Sequence, residues 1–360
     1  MTKKKSDYIG PKVLNTLLPV GLAFLIGGII ILCIGENPLE AYRIMLGKSL
    51  FTAKGFLNTL HYASPLLLTG LAIAITFKAN LFNMGVEGQL LVGGFFAGIA
   101  GASLDLTSPV MQKVVCMLVG IGCGVLFALI PALLRAFFHV DEMVVTLMLN
   151  YAMIKVLEYL SSGPFREAGS GYVCTPVIHE SAMFQRLGIG NSRLTMFFFL
   201  AFAILLIMTF IFKKTKLGME ITAIGKNPDF AEATGMRVRR KIIILMCISG
   251  ALAGLAGAGH MMSEKFKYTL GFSGTTGLGW DGMLIALLGR HNPIGVLLAA
   301  IFYSALKTGA DNINMYTSVP KEIVGVLQGL IILFLAVQFL DERFGLRERF
   351  ARRMSRKEEA

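Results

Sequence analysis

The sequence predicts an all-α integral membrane protein with about ten transmembrane helices and both termini on the cytoplasmic side. Three observations predict it. First, 55% of the 360 residues are hydrophobic and 16% are charged, too few charges to coat a soluble surface of that size. Second, long apolar runs at 19–34, 196–212 and 325–340 show no alternation of period two. Hydrocarbon offers the backbone no partners, so spanning segments are helices or closed barrels, and the missing alternation excludes the barrel. Third, the Lys and Arg residues behind the net charge of +12 gather between the apolar runs, as the positive-inside bias requires.

Segments of about 20 residues, the length that crosses a bilayer, fall at 13–34, 57–77, 85–104, 113–137 and 141–161, then at 195–212, 241–262, 277–290, 293–310 and 321–340. An even number returns the chain to its starting side. The basic clusters are Lys3, Lys4, Lys5 and Lys12, the stretch 213–241, and the stretch 343–357. An N-terminal segment 1–12 in the cytoplasm places the loop 213–241 and the tail 341–360 there too. The same clustering in loops argues against nucleic acid as a partner. The run from Val13 to Ile34 is too long for a signal peptide and lacks a small-x-small cleavage site, so it reads as a retained span. Residues 1–360 therefore form a single transmembrane domain.

Small residues recur four apart inside the spans, as Gly94 and Gly98, Gly120 and Gly124, and Gly250 and Gly254 with Ala258. Helices packed through such faces approach closely. The five cysteines, Cys33, Cys116, Cys123, Cys174 and Cys247, form no CxxC or Cys/His cluster, which leaves neither a zinc site nor a disulfide framework. Between the fifth and sixth spans, residues 162–194 form the longest polar stretch, on the outside. Its Gly, Pro and Ser residues predict turns rather than a domain.

The inside loop 213–241 carries helix punctuation. Asn227 suits an N-cap, Pro228 the first helical position, Asp229 the positive end of the dipole and Gly235 a C-terminal cap, which predicts a helix of two turns. A helix that short buries too little to stand alone. Its support is either a second protein or the headgroup region, held there by Arg237, Arg239, Arg240 and Lys241. In the docking reading, Glu220, Asn227, Pro228, Asp229, Ala231, Ala233 and Gly235 form the coupling element.

No enzyme motif is present. HExxH and GxSxG are absent, and the nearest approach to a P-loop, Gly47-Lys48-Ser49, has Tyr42 where the first glycine belongs.

Four stretches, 77–89, 140–150, 218–235 and 277–290, resemble the permeases of the branched-chain amino acid and simple-sugar type, and within them the nucleoside-importer branch. The turn Gly289 to Gly295 is shared with the sugar branch. The resemblance implies a bacterial cytoplasmic-membrane importer built from two permease chains, commonly non-identical. It also implies two ATP-binding cassette ATPase subunits, which bind ATP and Mg, and an extracellular lipid-anchored binding protein. The permease itself binds no cofactor. The implied cargo is nucleosides.

Asn83, Glu87 and Gln89, with Gly85 and Gly88 between them, mark a broken helix, and broken helices offer polar groups to a cavity. A carboxylate near a span faces either a cavity or a partner, so Glu87 touches the pathway or serves as a cap or as a salt bridge to Lys78. Asn150 and Asp281 line the pathway or bond between helices, and Trp280 is the single tryptophan. For a flat base and a ribose, Phe95, Phe96 and Tyr151 offer aromatic faces. The rival readings are an importer of a monosaccharide such as ribose, and a secondary transporter using Glu87, Asp281 or Glu158 as ion sites.

Overall fold

The computed structural model describes residues 9–320 and 322–344. Fourteen α-helices make up most of the described chain: α1 (Ile9–Cys33), α2 (Pro38–Leu50), α3 (Ala53–Lys78), α4 (Val86–Ser103), α5 (Pro109–Phe138), α6 (Glu142–Ser162), α7 (Phe197–Lys214), α8 (Lys216–Lys226), α9 (Pro228–Ala233), α10 (Val238–His260), α11 (Leu270–Thr275), α12 (Leu278–Leu288), α13 (Pro293–Tyr316) and α14 (Glu322–Phe344). The basic cluster Lys3 to Lys5 and the tail beyond Phe344 lie outside the described residues.

Seven helices are long and apolar enough to cross a membrane: α3, α4, α5, α6, α7, α13, and α10 extended to Lys265. This makes the chain an integral membrane protein. Each of the ten expected segments falls on a helix; among the described residues, α1, α12 and α14 contribute the shorter apolar stretches Val20–Cys33, Leu278–Leu288 and Glu322–Ile331. Among the described residues the expected count of ten is therefore corrected to seven. The physical reason is plainest at α12: at 1.5 Å per residue it rises about 16 Å, roughly half of the 30 Å hydrocarbon core.

The chain forms two compact units. One comprises the chain up to Phe56 and from Ala305 onward, and the other is Leu57–Ser304. In the first, Asn37 caps α2 by accepting from Leu39 N at 3.0 Å, with Pro38 at the first helical position. Tyr42 donates to Phe24 O at 2.7 Å, and the Lys48 ammonium sits over the Tyr316 ring. In the second unit, α4, α5 and α10 pack with backbones in contact. A Cβ on Gly93 would lie 2.5 Å from Gly254 Cα, one on Gly120 2.6 Å from Ala258 Cβ, and one on Gly250 2.5 Å from Ala128 Cβ. The small residues spaced by four are thus the contact faces of these helices. Dispersion between closely fitted surfaces holds them, since lipid supplies no hydrophobic drive between helices.

Residues 163–196 contain no α-helix but turns, two short 3-10 segments, Glu180–Ala182 and Ile189–Asn191, and isolated β-bridges from Cys174 to Thr269 and from Arg186 to Thr195. They fold down onto the end of α10. Thr175 N donates to Tyr268 O at 3.0 Å, Ile178 N to Phe266 O at 2.9 Å and Phe184 N to Met262 O at 2.8 Å, and Ile178 and Ala182 are buried against Ala97, Cys116 and Ala258. All five cysteines are free thiols.

Candidate functional site

α3 stops at Lys78 and α4 starts at Val86, with Asn80 at φ +58 in the interruption. Interrupted backbone within a membrane protein needs partners, and buried side chains provide them here. Asn83 donates through Nδ2 to Ser249 Oγ at 2.9 Å and exchanges two bonds of 3.2 Å with the Gln89 amide. Its Oδ1 accepts from Gly85 N at 3.0 Å. Ser249 Oγ donates in turn to Ala72 O at 2.7 Å, tying α10 to α3.

The other side of the break is held by α6. Asn150 Nδ2 donates to Met84 O at 2.7 Å, and its Oδ1 accepts from Gly88 N at 2.9 Å. Thr146 Oγ1 accepts from Met84 N at 3.1 Å. Glu142 accepts from Phe82 N at 3.1 Å and pairs with Arg135 Nε at 3.0 Å. Glu142, Thr146 and Asn150 are all buried, one above another on a single face because four residues is about one helical turn. Asn150 was among the sequence-expected residues; Glu142, Thr146 and Ser249 were not. The i, i+4, i+8 polar spacing in an apolar helix was the available signal.

Glu87 is buried and receives two backbone donors from a segment 190 residues away, Gly277 N on Oε1 at 3.0 Å and Gly279 N on Oε2 at 2.6 Å. The carboxylate therefore caps the start of α12. Lys78, the salt-bridge partner considered from the sequence, places its ammonium over the Phe212 ring at 4.7 Å. The contact brings Trp280 and Asp281, in the first turn of α12, beside the α4 break. Trp280 is 38% exposed, and Asp281 accepts a bond from the Tyr303 hydroxyl of α13. Phe95 is fully buried, edge-on to Phe96, Phe165 and Tyr268, while Tyr151 faces outward from α6.

The second cluster is the α8–α9 loop. Thr215 caps α8 through Gly218 N at 3.4 Å, and Asn227 caps α9 through Phe230 N at 3.0 Å. Gly235, at φ +85, lets the chain reverse so that its N–H reaches Glu232 O at 2.9 Å and Met236 N reaches Ala231 O at 3.1 Å. These two bonds are the pattern of a helix closed by a left-handed residue. Ala231 faces inward onto Ile224 and Val238, whereas Asp229, Ala233 and Phe230, 65% exposed, face outward. Glu220 is buried and pairs with Lys241 at 2.5 Å, while Arg237, Arg239 and Arg240 are exposed. A groove beside this pair is lined by Met219, Thr234, Met236, Arg237, Arg240 and Ile244.

A third polar group lies where α10 ends in a π turn, Met261–Lys265. There Glu264 stands 3.7 Å from His61 Nε2 and 3.6 Å from His260 Nδ1. Among the described residues, no group of three His, Cys, Asp or Glu converges as a metal site.

A helical membrane bundle with broken, internally braced spans and a capped loop helix is the build of a transport permease. Residues 55–336 match the family described as branched-chain amino acid transport system, permease component, and the chain belongs to that family. It is 35% identical over 341 residues to the nucleoside ABC transporter permease protein NupB of Lactococcus lactis, covering 92% of each chain. It is 34% identical to the guanosine ABC transporter permease protein NupP of Bacillus subtilis, over 94% of this chain and 96% of that one. It is also 29% identical to the glucose ABC transporter permease protein TsgB13 of Haloferax volcanii, over 94% and 90%. No solved structure matches it. The chain is thus the permease subunit of an ATP-binding cassette importer, a class that works with an ATPase and a substrate-binding protein, and the secondary-transporter reading is overturned.

Proposed function

We propose that this permease imports nucleosides. The observation that carries the reading is near-complete coverage of the two relatives named for nucleoside and guanosine transport at 35% and 34% identity. The glucose-named relative matches at 29%, so a monosaccharide is the second reading. In the proposed arrangement the α8–α9 loop lies in the cytoplasm, where the outward face of α9, Phe230 with Asp229 and Ala233, docks into a cleft of the ATPase subunit. ATP and Mg bind on that subunit, and this chain supplies only the pore. A second permease chain, commonly non-identical, and a lipid-anchored external binding protein complete the machine, which sits in a bacterial cytoplasmic membrane. ATPase closure moves α9 and, through the Glu220–Lys241 pair, α10, whose Ser249 holds the α4 break. Cargo passes beside that break, with Trp280 and Asp281 as contact residues and Asn83, Glu87, Gln89 and Asn150 as the frame that holds them. The two states differ in their contacts, as any driven switch requires.

Uptake of labelled guanosine against labelled ribose by cells with the complete importer separates the two cargo readings. Guanosine import that stops on ATP depletion is expected; ribose import without guanosine import would replace the nucleoside reading. A mild-detergent pull-down of the chain is expected to bring an ATPase and a second permease with it.

A further inference from the structure

α12 begins inside the hydrocarbon depth. A Cβ on Gly282 would lie 2.5 Å from Thr69 Oγ1, and Thr69 sits nine residues before the end of α3 at Lys78, about 14 Å at 1.5 Å per residue. The first turn of α12 therefore presents unpaired N–H groups and the positive end of a helix dipole where water is scarce. In transporters built from interrupted helices, such an end takes the anionic group of the substrate.

Here it is already taken. Both oxygens of Glu87 accept from Gly277 N and Gly279 N, and the fit is tight, since a Cβ on Gly279 would lie 2.5 Å from Glu87 N. No ligand fits between the two backbones. Glu87 is itself fixed in place, because the next residue, Gly88, donates to Asn150 and the start of α4 is held by the Asn83–Gln89 pair. A second carboxylate, Asp281, follows directly and is held by Tyr303. Between them Trp280 leaves part of its indole uncovered.

We propose that Glu87 is a built-in anion that fills the α12 N-terminus, so that this pathway admits uncharged, ring-bearing cargo and rejects carboxylates and phosphates. The proposal rests on the importer reading above and deepens it. It makes Glu87 a specificity-determining residue rather than a cargo contact.

Trp280 is the only tryptophan, so intrinsic fluorescence of the purified full chain reports on this turn directly. In Glu87→Gln the iodide quenching constant is expected to rise by at least about three-fold, the Boltzmann factor for losing one unit charge about 7 Å away even at the dielectric of water, with quenching by neutral acrylamide unchanged. Glu87→Asp, which keeps the charge, is expected to hold the iodide value of the unaltered chain. An iodide constant unaffected by Glu87→Gln, or a Glu87→Asp chain that behaves like it, overturns the proposal. Should Glu87→Gln fail to fold, the unaltered chain decides: its iodide quenching constant must rise as inert salt screens a negative charge beside the indole, and a constant that stays level or falls overturns the proposal. Absence of guanosine uptake, measured separately, removes the cargo reading and leaves the quenching result standing.

Discussion

The interruption before α4 and the loop that carries α9 are both short departures from long helices, yet they handle their polar groups in opposite ways. At the interruption, Asn83, Gln89, Asn150 and Glu87 are buried and direct hydrogen bonds to one another, to Ser249 and to backbone. At α9 the caps satisfy the helix ends, while Phe230 and Ala233 face outward. The contrast teaches how membrane proteins divide labour. Polar groups buried away from water must be closed internally, because each unpaired one costs about 1–3 kcal/mol. A solvent-exposed helix meets no such demand and leaves an apolar face for a partner.

The largest expected effect breaks the closed side. Asn150→Ala leaves Met84 O and Gly88 N without their partner, and at about 1–3 kcal/mol per group it is expected to destabilise the chain by about 2–5 kcal/mol. A melting curve in detergent within a degree of the unaltered protein would refute the bracing role. Next comes Gly235→Val, which puts a β-branched residue at φ +85 and is expected to cost about 1–3 kcal/mol; loss of protection at the α9 amides in hydrogen exchange reads it.

On the open side, effects on stability shrink and effects on function grow. Phe230→Asp and Ala233→Glu alter exposed positions and are expected to change stability by less than about 0.5 kcal/mol while uncoupling ATP hydrolysis from uptake. Normal uptake in both variants would reject the docking assignment. Ala231→Glu is the contrast: that residue packs inward, so a charge there is expected to unfold α9 rather than spare it, and equal stability of the two Ala variants would erase the distinction between the faces.

A separate effect is a pH dependence. His291, in the turn between α12 and α13, lies edge-on to Phe77, and burial, with the Lys78 ammonium second, pushes its pKa down to about 4. A base whose folded pKa lies below its unfolded one binds protons more readily when unfolded. Its contribution is therefore present above the unfolded value of about 6.5 and is lost as pH falls toward 4. The Tm should drop over that window, and His291→Gln should flatten this part of the curve.

Much of this was legible in the sequence because it depends on local rules. Length and apolar content placed the helices; the spacing of Gly120, Gly124, Gly250 and Gly254 located the contact faces; and Asn227, Pro228 and Gly235 delimited α9. The expectation of a full crossing failed at α12 because an apolar run of eleven residues, Leu278–Leu288, resembles a crossing in composition and differs only in length. The polar residues before α4 were found by their type, but their partners were hidden. Ser249, Gly277, Gly279 and Tyr303 lie far away along the chain, and nothing local pairs them with Asn83, Glu87 or Asp281.

By itself, then, the sequence determined that lipid surrounds this chain, where its helices lie, and how α9 begins and ends, because hydropathy, helix period and capping act within a few residues. Only the tertiary structure decided that Glu87 closes the end of a helix 190 residues away, that Ala231 faces inward and Ala233 outward, and that α4, α5 and α10 touch backbone to backbone. Those outcomes depend on which surfaces meet once the helices pack, and the energy of a buried polar group is settled by its neighbours rather than by its own identity.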